Sequence, residues 1–331
     1  MSVARPRVVV AEDPGLLEPG IRAAQLDRLA RELPGWQVDD AEAVGRSAAY
    51  PWADVRALSC LTLPAVEPGR LTGLRYVQAV STGVEHLPVA ELAAAGVRVC
   101  NAAGTAAGEI AEFVLARILA DAKRLAQARG AQAERTWRPV YGEGLRGAEL
   151  LLVGFGAINR AVADLAGAFG MTVRVARRTP AGLLPPGVVE QRGLDALADL
   201  LAGARYVVCA LPGVPDTAQL LDASAIDALA DGALLVNVGR GSVLDETALA
   251  AACASGRIRA ALDVVAVEPL PRSSPLWGTP GIAISAHCAS VPGRALARAG
   301  DLFAANLRRL LDGVPLINQV AGPVGAVEEL S

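Results

Sequence analysis

Short apolar runs alternate with longer amphipathic stretches along nearly the whole chain. The runs are RVVVAE at 7–12, LRYVQAV at 74–80, VRVC at 97–100, ELLLVG at 149–154, TVRVAR at 172–177, RYVVCAL at 205–211, ALLVNV at 233–238, RAALDVV at 259–265 and IAISAH at 282–287. They lack the strict in–out alternation of a half-exposed strand, so they predict strands covered on both faces. Helical patterns lie between them. One opens at Asp245, an N-cap residue, and stops at Gly256. A long pattern from Glu109 to about Ala133 predicts a helix bridging two lobes, and another runs from Pro292 to Leu311. Strands alternating with helices predict parallel, right-handed βαβ units. At about 150 residues per domain, 331 residues predict two domains, with a boundary near 101 and a return crossing near 288.

Composition narrows the class. Hydrophobic residues make up 53% of the chain and the net charge is −3. That supports two large cores and argues against a nucleic-acid or anionic-membrane surface. Basic residues are almost all arginine, Lys123 being the one lysine. Cys60, Cys100, Cys209, Cys253 and Cys288 are odd in number and contain no CxxC pair, which predicts a reduced, cytoplasmic chain. The first apolar run is too short for a signal peptide, and no stretch of 18 apolar residues predicts a membrane span.

A cofactor site is suggested by ELLLVGFGAIN. A strand ends in Gly154-Phe155-Gly156, and a helix opens at Ala157-Ile158. The first glycine permits a tight turn, and the second lets backbone approach a pyrophosphate at a helix N-terminus. The third glycine of the usual pattern is Asn159. A lone Gly-x-Gly is also ordinary strand-to-helix punctuation. The next strand, TVRVA, ends in Arg177-Arg178-Thr179, where an acidic residue would bind a ribose 2′-hydroxyl and arginine suits a 2′-phosphate. A solvated charge pair at a strand end is the other reading.

Proton-transfer chemistry has few candidates. The chain holds two histidines. His86, at a predicted helix entry, reads as structural. His287 ends the run IAISAH, at the sheet edge where open α/β folds bind ligands. Arg240 lies between two glycines after ALLVNV, and Glu268 follows RAALDVV and precedes a proline. Three strand ends thus carry an arginine, a carboxylate and a histidine.

NVGRGSVLDETAL at 237–249, ALDVVAVEPLPRSSPLW at 261–277 and ISAHCA at 284–289 resemble the D-isomer-specific 2-hydroxyacid dehydrogenases, in particular their glyoxylate/hydroxypyruvate reductase-like branch. So do LRYVQAVSTGVEHLP at 74–88, NAAGTAAGEIAE at 101–112 and ALPGVPDT at 210–217. The resemblance implies an α/β fold of two Rossmann- or flavodoxin-like lobes, with doubly wound parallel sheets and a cleft between them. The substrate lobe would be discontinuous, residues 1–101 and 289–331, around a dinucleotide-binding lobe at 102–288. It implies hydride transfer between NAD(P)H, with NADP(H) favoured, and a small 2-keto acid, giving a D-2-hydroxy acid. Arg240 would hold the substrate carboxylate and polarise its carbonyl. His287 would protonate the carbonyl oxygen, and Glu268 would orient His287. Thr82, Gly83 and Val84 would cradle the carboxylate through their N–H groups. Asp263 would hold the nicotinamide amide, and Leu211, Pro212 and Val238 would line the cofactor beside the 154–158 turn. A homodimer is implied, and no metal. A nucleotide-sensing corepressor-like protein on the same fold and a formate- or phosphite-type dehydrogenase are the other readings, because fold alone does not fix function.

Overall fold

The computed structural model describes residues 5–11, 19–44, 50–66 and 68–324; Glu12, at the end of the first expected strand, lies outside the described residues. In chain order the strands are β1 (Arg7–Ala11), β2 (Gln37–Asp40), β3 (Val55–Cys60), β4 (Tyr76–Ala79), β5 (Arg98–Cys100), β6 (Glu149–Val153), β7 (Thr172–Ala176), β8 (Val188–Arg192), β9 (Tyr206–Cys209), β10 (Leu234–Asn237), β11 (Arg259–Leu262), β12 (Ile282–Ile284) and β13 (Gln319–Ala321). The helices are α1 (Pro19–Glu32), α2 (Ala41–Val44), α3 (Val89–Ala94), α4 (Ala107–Ala122), α5 (Leu125–Ala133), α6 (Ala157–Ala168), α7 (Leu197–Ala202), α8 (Ala223–Asp227), α9 (Glu246–Ala254) and α10 (Pro292–Leu311). The chain divides into two units, Met1–Thr105 with Val291–Ser331, and Ala106–Ser290. The two crossings thus fall at 105/106 and 290/291, a few residues later than the expected 101/102 and 288/289.

The Ala106–Ser290 unit is a seven-stranded sheet in the order β12-β11-β10-β9-β6-β7-β8. All its pairings are parallel. The continuous apolar runs are explained by cover on both faces. Leu150 and Leu152 of β6, Tyr206 and Val208 of β9, and Leu234 and Val236 of β10 pack on one side with α4 and α6. Their neighbours Leu151, Val153, Val207, Cys209 and Leu235 pack on the other with α7, α8 and α9. This is the period-2 geometry of a strand, with both sets apolar. Each fully buried Leu or Val side chain contributes about 1.5–3 kcal/mol relative to exposure.

The other unit is a six-stranded sheet in the order β13-β5-β4-β3-β1-β2. Val9, Leu58 and Val77 face α3, while Val8, Ala57 and Tyr76 face α1 and α10. Its one antiparallel pair, β13 on β5, departs from the expected all-parallel sheet. The reversal follows the C-terminus of α10, where Asn306 holds Ile317 through both backbone groups and Asn318 adopts a left-handed conformation (φ 57°).

The single bridging helix expected over 109–133 is two helices. Arg124 sits between them in the left-handed region (φ 53°). The returning chain explains the break: the Glu143 N–H donates to Ala122 O at 2.8 Å, and Lys123 Nζ to Glu143 O at 2.8 Å. The Ala122 carbonyl is therefore taken by Glu143, twenty-one residues away, instead of by the next turn of helix.

Candidate functional site

Two groups of side chains lie along the C-terminal edge of the seven-stranded sheet. Arg240, Glu268 and His287 follow the adjacent strands β10, β11 and β12, and the glycine turn, Arg177–Thr179 and Leu211–Pro212 follow β6, β7 and β9.

Arg240 is fixed by its neighbours. A Cβ on Gly239 would lie 2.5 Å from Leu211 O, and one on Gly241 would fall on the backbone of Val265 and Ala266. The arginine backbone is thus wedged between the loops leaving β9 and β11, and only glycine fits on either side of it. Asn237, fully buried at the end of β10, completes the turn: its Nδ2 donates to Arg240 O at 3.0 Å and its Oδ1 accepts from Gly239 N at 3.1 Å.

His287 has a left-handed backbone (φ 50°), a conformation that costs a non-glycine residue about 1–3 kcal/mol and persists only where its surroundings enforce it. Here they do. The His287 N–H donates to Asp263 O at 2.8 Å. The Asp263 carboxylate, 4% exposed, accepts from Ser285 Oγ (2.8 Å), Cys288 N (3.0 Å) and Ala289 N (3.1 Å). Asp263 therefore anchors the whole 285–289 loop, using the capacity of a carboxylate to accept several bonds. The imidazole Nδ1 lies 2.8 Å from Glu268 Oε2, and Glu268 Oε1 accepts from Val265 N at 3.1 Å. A carboxylate oxygen accepts, so Nδ1 donates, and Nε2 is left to face outward from a half-exposed ring (55%).

At the other end of the edge, Gly154 has φ +84° and donates its N–H to Ala176 O at 2.8 Å. A Cβ there would meet Leu211 Cδ2 at 2.7 Å. Gly156 caps α6, and a Cβ on it would meet no protein atom within 4 Å. The first turn of α6, Ala157-Ile158-Asn159, thus begins beside open space, as backbone binding of a pyrophosphate requires. Phe155 is 9% exposed, under the Arg160 guanidinium. Asn159 laces helix to strand: fully buried, its Nδ2 donates to Val153 O at 3.1 Å and Gly154 O at 2.8 Å. Val238 is buried, and its N–H donates to Cys209 O at 3.0 Å. Leu211 is half-buried, and Pro212, Arg178 and Thr179 are exposed; Arg177 is half-buried, with its N–H on Arg192 O. The residues fit a dinucleotide: an open glycine turn at a helix N-terminus, and cations without an acidic residue at the end of β7.

In the other unit, the loop after β4 has its carbonyls tied inward. Asn101 Nδ2 donates to Thr82 O at 2.7 Å, Ser81 Oγ to Gly83 O at 2.7 Å and Leu87 N to Val84 O at 3.0 Å. No acceptor among the described residues meets the N–H groups of Thr82, Gly83 or Val84. Thr82 is exposed and Gly83 and Val84 are half-buried, and such a row of unpaired donors suits an anion. His86 hydrogen-bonds Leu61 O at 2.6 Å, as a structural histidine would.

Asn237, Ser285 and Asn101 position these groups and were not singled out from the sequence. Asn237 left one trace, being the lone polar residue in ALLVNV. Cys209, beneath the edge, has its thiol pushed up to about 12 by burial, whereas Cys288 is exposed. No group of three or more His, Cys, Asp or Glu among the described residues is placed to hold a metal, and no described helix is long and apolar enough to cross a membrane.

Comparison with known proteins agrees with this geometry. Residues 115–289 match the family described as D-isomer specific 2-hydroxyacid dehydrogenase, NAD binding domain. The chain is 34% identical over 285 residues to a D-3-phosphoglycerate dehydrogenase of Mycobacterium tuberculosis, covering 84% of this chain and 53% of that protein. It thus spans about half the length of these longer relatives. It is 32% identical to a glyoxylate/hydroxypyruvate reductase A of Serratia proteamaculans, covering 74% of this chain and 78% of that one. Among solved structures, a D-isomer specific 2-hydroxyacid dehydrogenase of Xanthobacter autotrophicus Py2, in complex with NADPH and MES, is 32% identical with a TM-score of 0.79, covering 96% of this chain and 98% of that one.

Proposed function

The chain belongs to the D-isomer specific 2-hydroxyacid dehydrogenase family, and from that premise we propose that it reduces a short 2-keto acid, such as glyoxylate or hydroxypyruvate, to a D-2-hydroxy acid with NADP(H). The observation that carries this reading is the placement of Arg240, Glu268 and His287 at three neighbouring strand ends, with the Glu268–His287 contact already formed at 2.8 Å.

A nicotinamide cofactor, when bound, would supply the hydride. Arg240 binds the substrate carboxylate and polarises the carbonyl, its guanidinium suited to both by its planar donor fork. His287 delivers a proton from Nε2 to the carbonyl oxygen, while Glu268 holds Nδ1 and the ring plane. The proposed role of the Thr82, Gly83 and Val84 N–H groups is to donate to a carboxylate. The 154–158 turn and α6 receive the pyrophosphate, and Leu211, Pro212 and Val238 line the cofactor. Asp263 orients the His287 loop, with Oδ2 retaining acceptor capacity for the nicotinamide amide.

The preference for NADP(H) is supported by Arg177, Arg178 and Thr179 and by the NADPH found in the Xanthobacter relative. A charge-assisted guanidinium–phosphate contact is worth about 1.5–3 kcal/mol, or roughly 10- to 100-fold. The reading also includes a substrate lobe built from both termini, a homodimer, and a cytoplasmic setting in keeping with five free cysteines.

A panel of short 2-keto acids, incubated with NADPH and with NADH and followed at the nicotinamide absorbance, tests the proposal. Turnover of at least one, faster with NADPH and giving the D product by chiral chromatography, is expected. An excess of the L product, or no turnover of any, would contradict it.

A further inference from the structure

Arg178 has a partner that bears on cofactor choice. Its Nη1 lies 3.3 Å from Asp216 Oδ2. Arg178 follows β7, and Asp216 lies in the Pro215–Thr217 turn after β9. β6, which carries the glycine turn, runs between those two strands. The ion pair therefore joins the loops on either side of the cofactor turn.

The two partners differ in freedom. Arg178 is a long side chain on an exposed strand end. The Asp216 side chain is also exposed (73%), but its backbone is held. Thr217 is buried beside it, with Oγ1 donating to Pro212 O at 2.5 Å and accepting from Val214 N at 3.2 Å. The Gln219 and Leu221 N–H groups tie the same loop to Ser242 and Val243, next to Arg240. Gly213 packs so closely on Arg240 and Ser242 that a Cβ would come within 3.1 Å of both. The guanidinium can swing and the carboxylate stays close to where it is.

We propose that Asp216 is a specificity-determining residue that restrains the preference for NADP(H). A 2′-phosphate bound by Arg178 must share the guanidinium with this fixed negative charge and is repelled by it. A 2′-hydroxyl carries no charge and meets no such repulsion. At a separation of about 6–8 Å in a solvated setting, roughly one Debye length, the repulsion corresponds to about a threefold to tenfold penalty on NADPH. This inference rests on the proposed cofactor reading, in which the end of β7 faces the adenosine ribose.

The test is direct binding of NADPH and NADH to the full chain, read by nicotinamide fluorescence, for the wild type, Asp216→Asn, Asp216→Glu and Arg178→Ala at low and high salt. Asp216→Asn is expected to raise the ratio of NADPH to NADH affinity about threefold to tenfold at low salt and less at high salt. Asp216→Glu should stay near the wild-type ratio. An unchanged ratio in Asp216→Asn, with the wild type preferring NADPH and Arg178→Ala losing that preference, would overturn the inference and leave the cofactor reading intact. A wild type that prefers NADH would overturn the cofactor reading. A rise in the ratio on Asp216→Asn in that protein would still uphold the restraining role of Asp216.

Discussion

The two ends of one sheet edge are built differently. At the β10–β12 end, the proposed reacting groups are held by buried anchors and by backbone packed against backbone. Asn237 and Asp263 are buried, and Gly239 and Gly241 touch the neighbouring loops so closely that a side chain has no room. At the β7 end, Arg178, Thr179 and Asp216 are exposed side chains with solvent on most sides. The first arrangement restricts the backbone that carries these side chains, as the close positioning of a proton donor to a carbonyl requires. The second sets only a balance of charge, which suffices to choose between two coenzymes differing by one phosphate. Chemistry should therefore be brittle to small changes at one end, and cofactor choice should be graded at the other.

Substitution at Gly241 probes the rigid end most severely. The new Cβ of Gly241→Ala would land on the Val265–Ala266 backbone, so the Arg240 turn or the loop leading to Glu268 has to move. A displacement near 1 Å costs on the order of 10²-fold in rate. A kcat lower by at least that factor is expected, checked by steady-state kinetics on protein shown folded by circular dichroism. A near-wild-type kcat would mean that the tight approach is not what positions Arg240.

The exposed end should respond more gently. Arg178→Ala is expected to lower the NADPH/NADH ratio of kcat/KM by roughly 10- to 100-fold, the scale of one charge-assisted contact to phosphate. The measurement is kcat/KM with each coenzyme on one accepted keto acid. An unchanged ratio would assign the 2′-phosphate to another group and remove the contrast on which the comparison depends.

What the sequence made legible follows the same division. The strand ends carrying Arg240 and Glu268 stood out because covered strands such as β10 and β11 are uninterrupted apolar runs, and a charged residue past such a run is conspicuous; His287 follows β12, an edge strand that is only half-buried. Two edge strands gave no such signal: QVDD in β2 and VVEQR in β8 lie at the outer ends of their sheets, where cover is partial and polar residues are tolerated, whereas β12, also at an edge, kept the apolar run IAISAH. β3, VRALSC, was hidden by Arg56 despite its burial. The break between α4 and α5 carries no glycine or proline, because its cause is a hydrogen bond from Glu143, remote in sequence. Asn101 and Ser285 act through hydrogen bonds to a backbone or carboxylate remote in sequence, which no local pattern encodes, while Asn237 ties the turn that directly follows it. Asn159 read as a missing glycine, and only the fold reveals that its amide laces α6 to the end of β6.

The claim that the rigid end performs the chemistry is tested most directly by single-turnover reduction of an accepted 2-keto acid by His287→Asn, in protein shown to bind NADPH as the wild type does. The expected result is hydride transfer slower by roughly 10²–10⁴-fold, the scale of a lost general acid, with cofactor affinity unchanged. Transfer at close to the wild-type rate would contradict it.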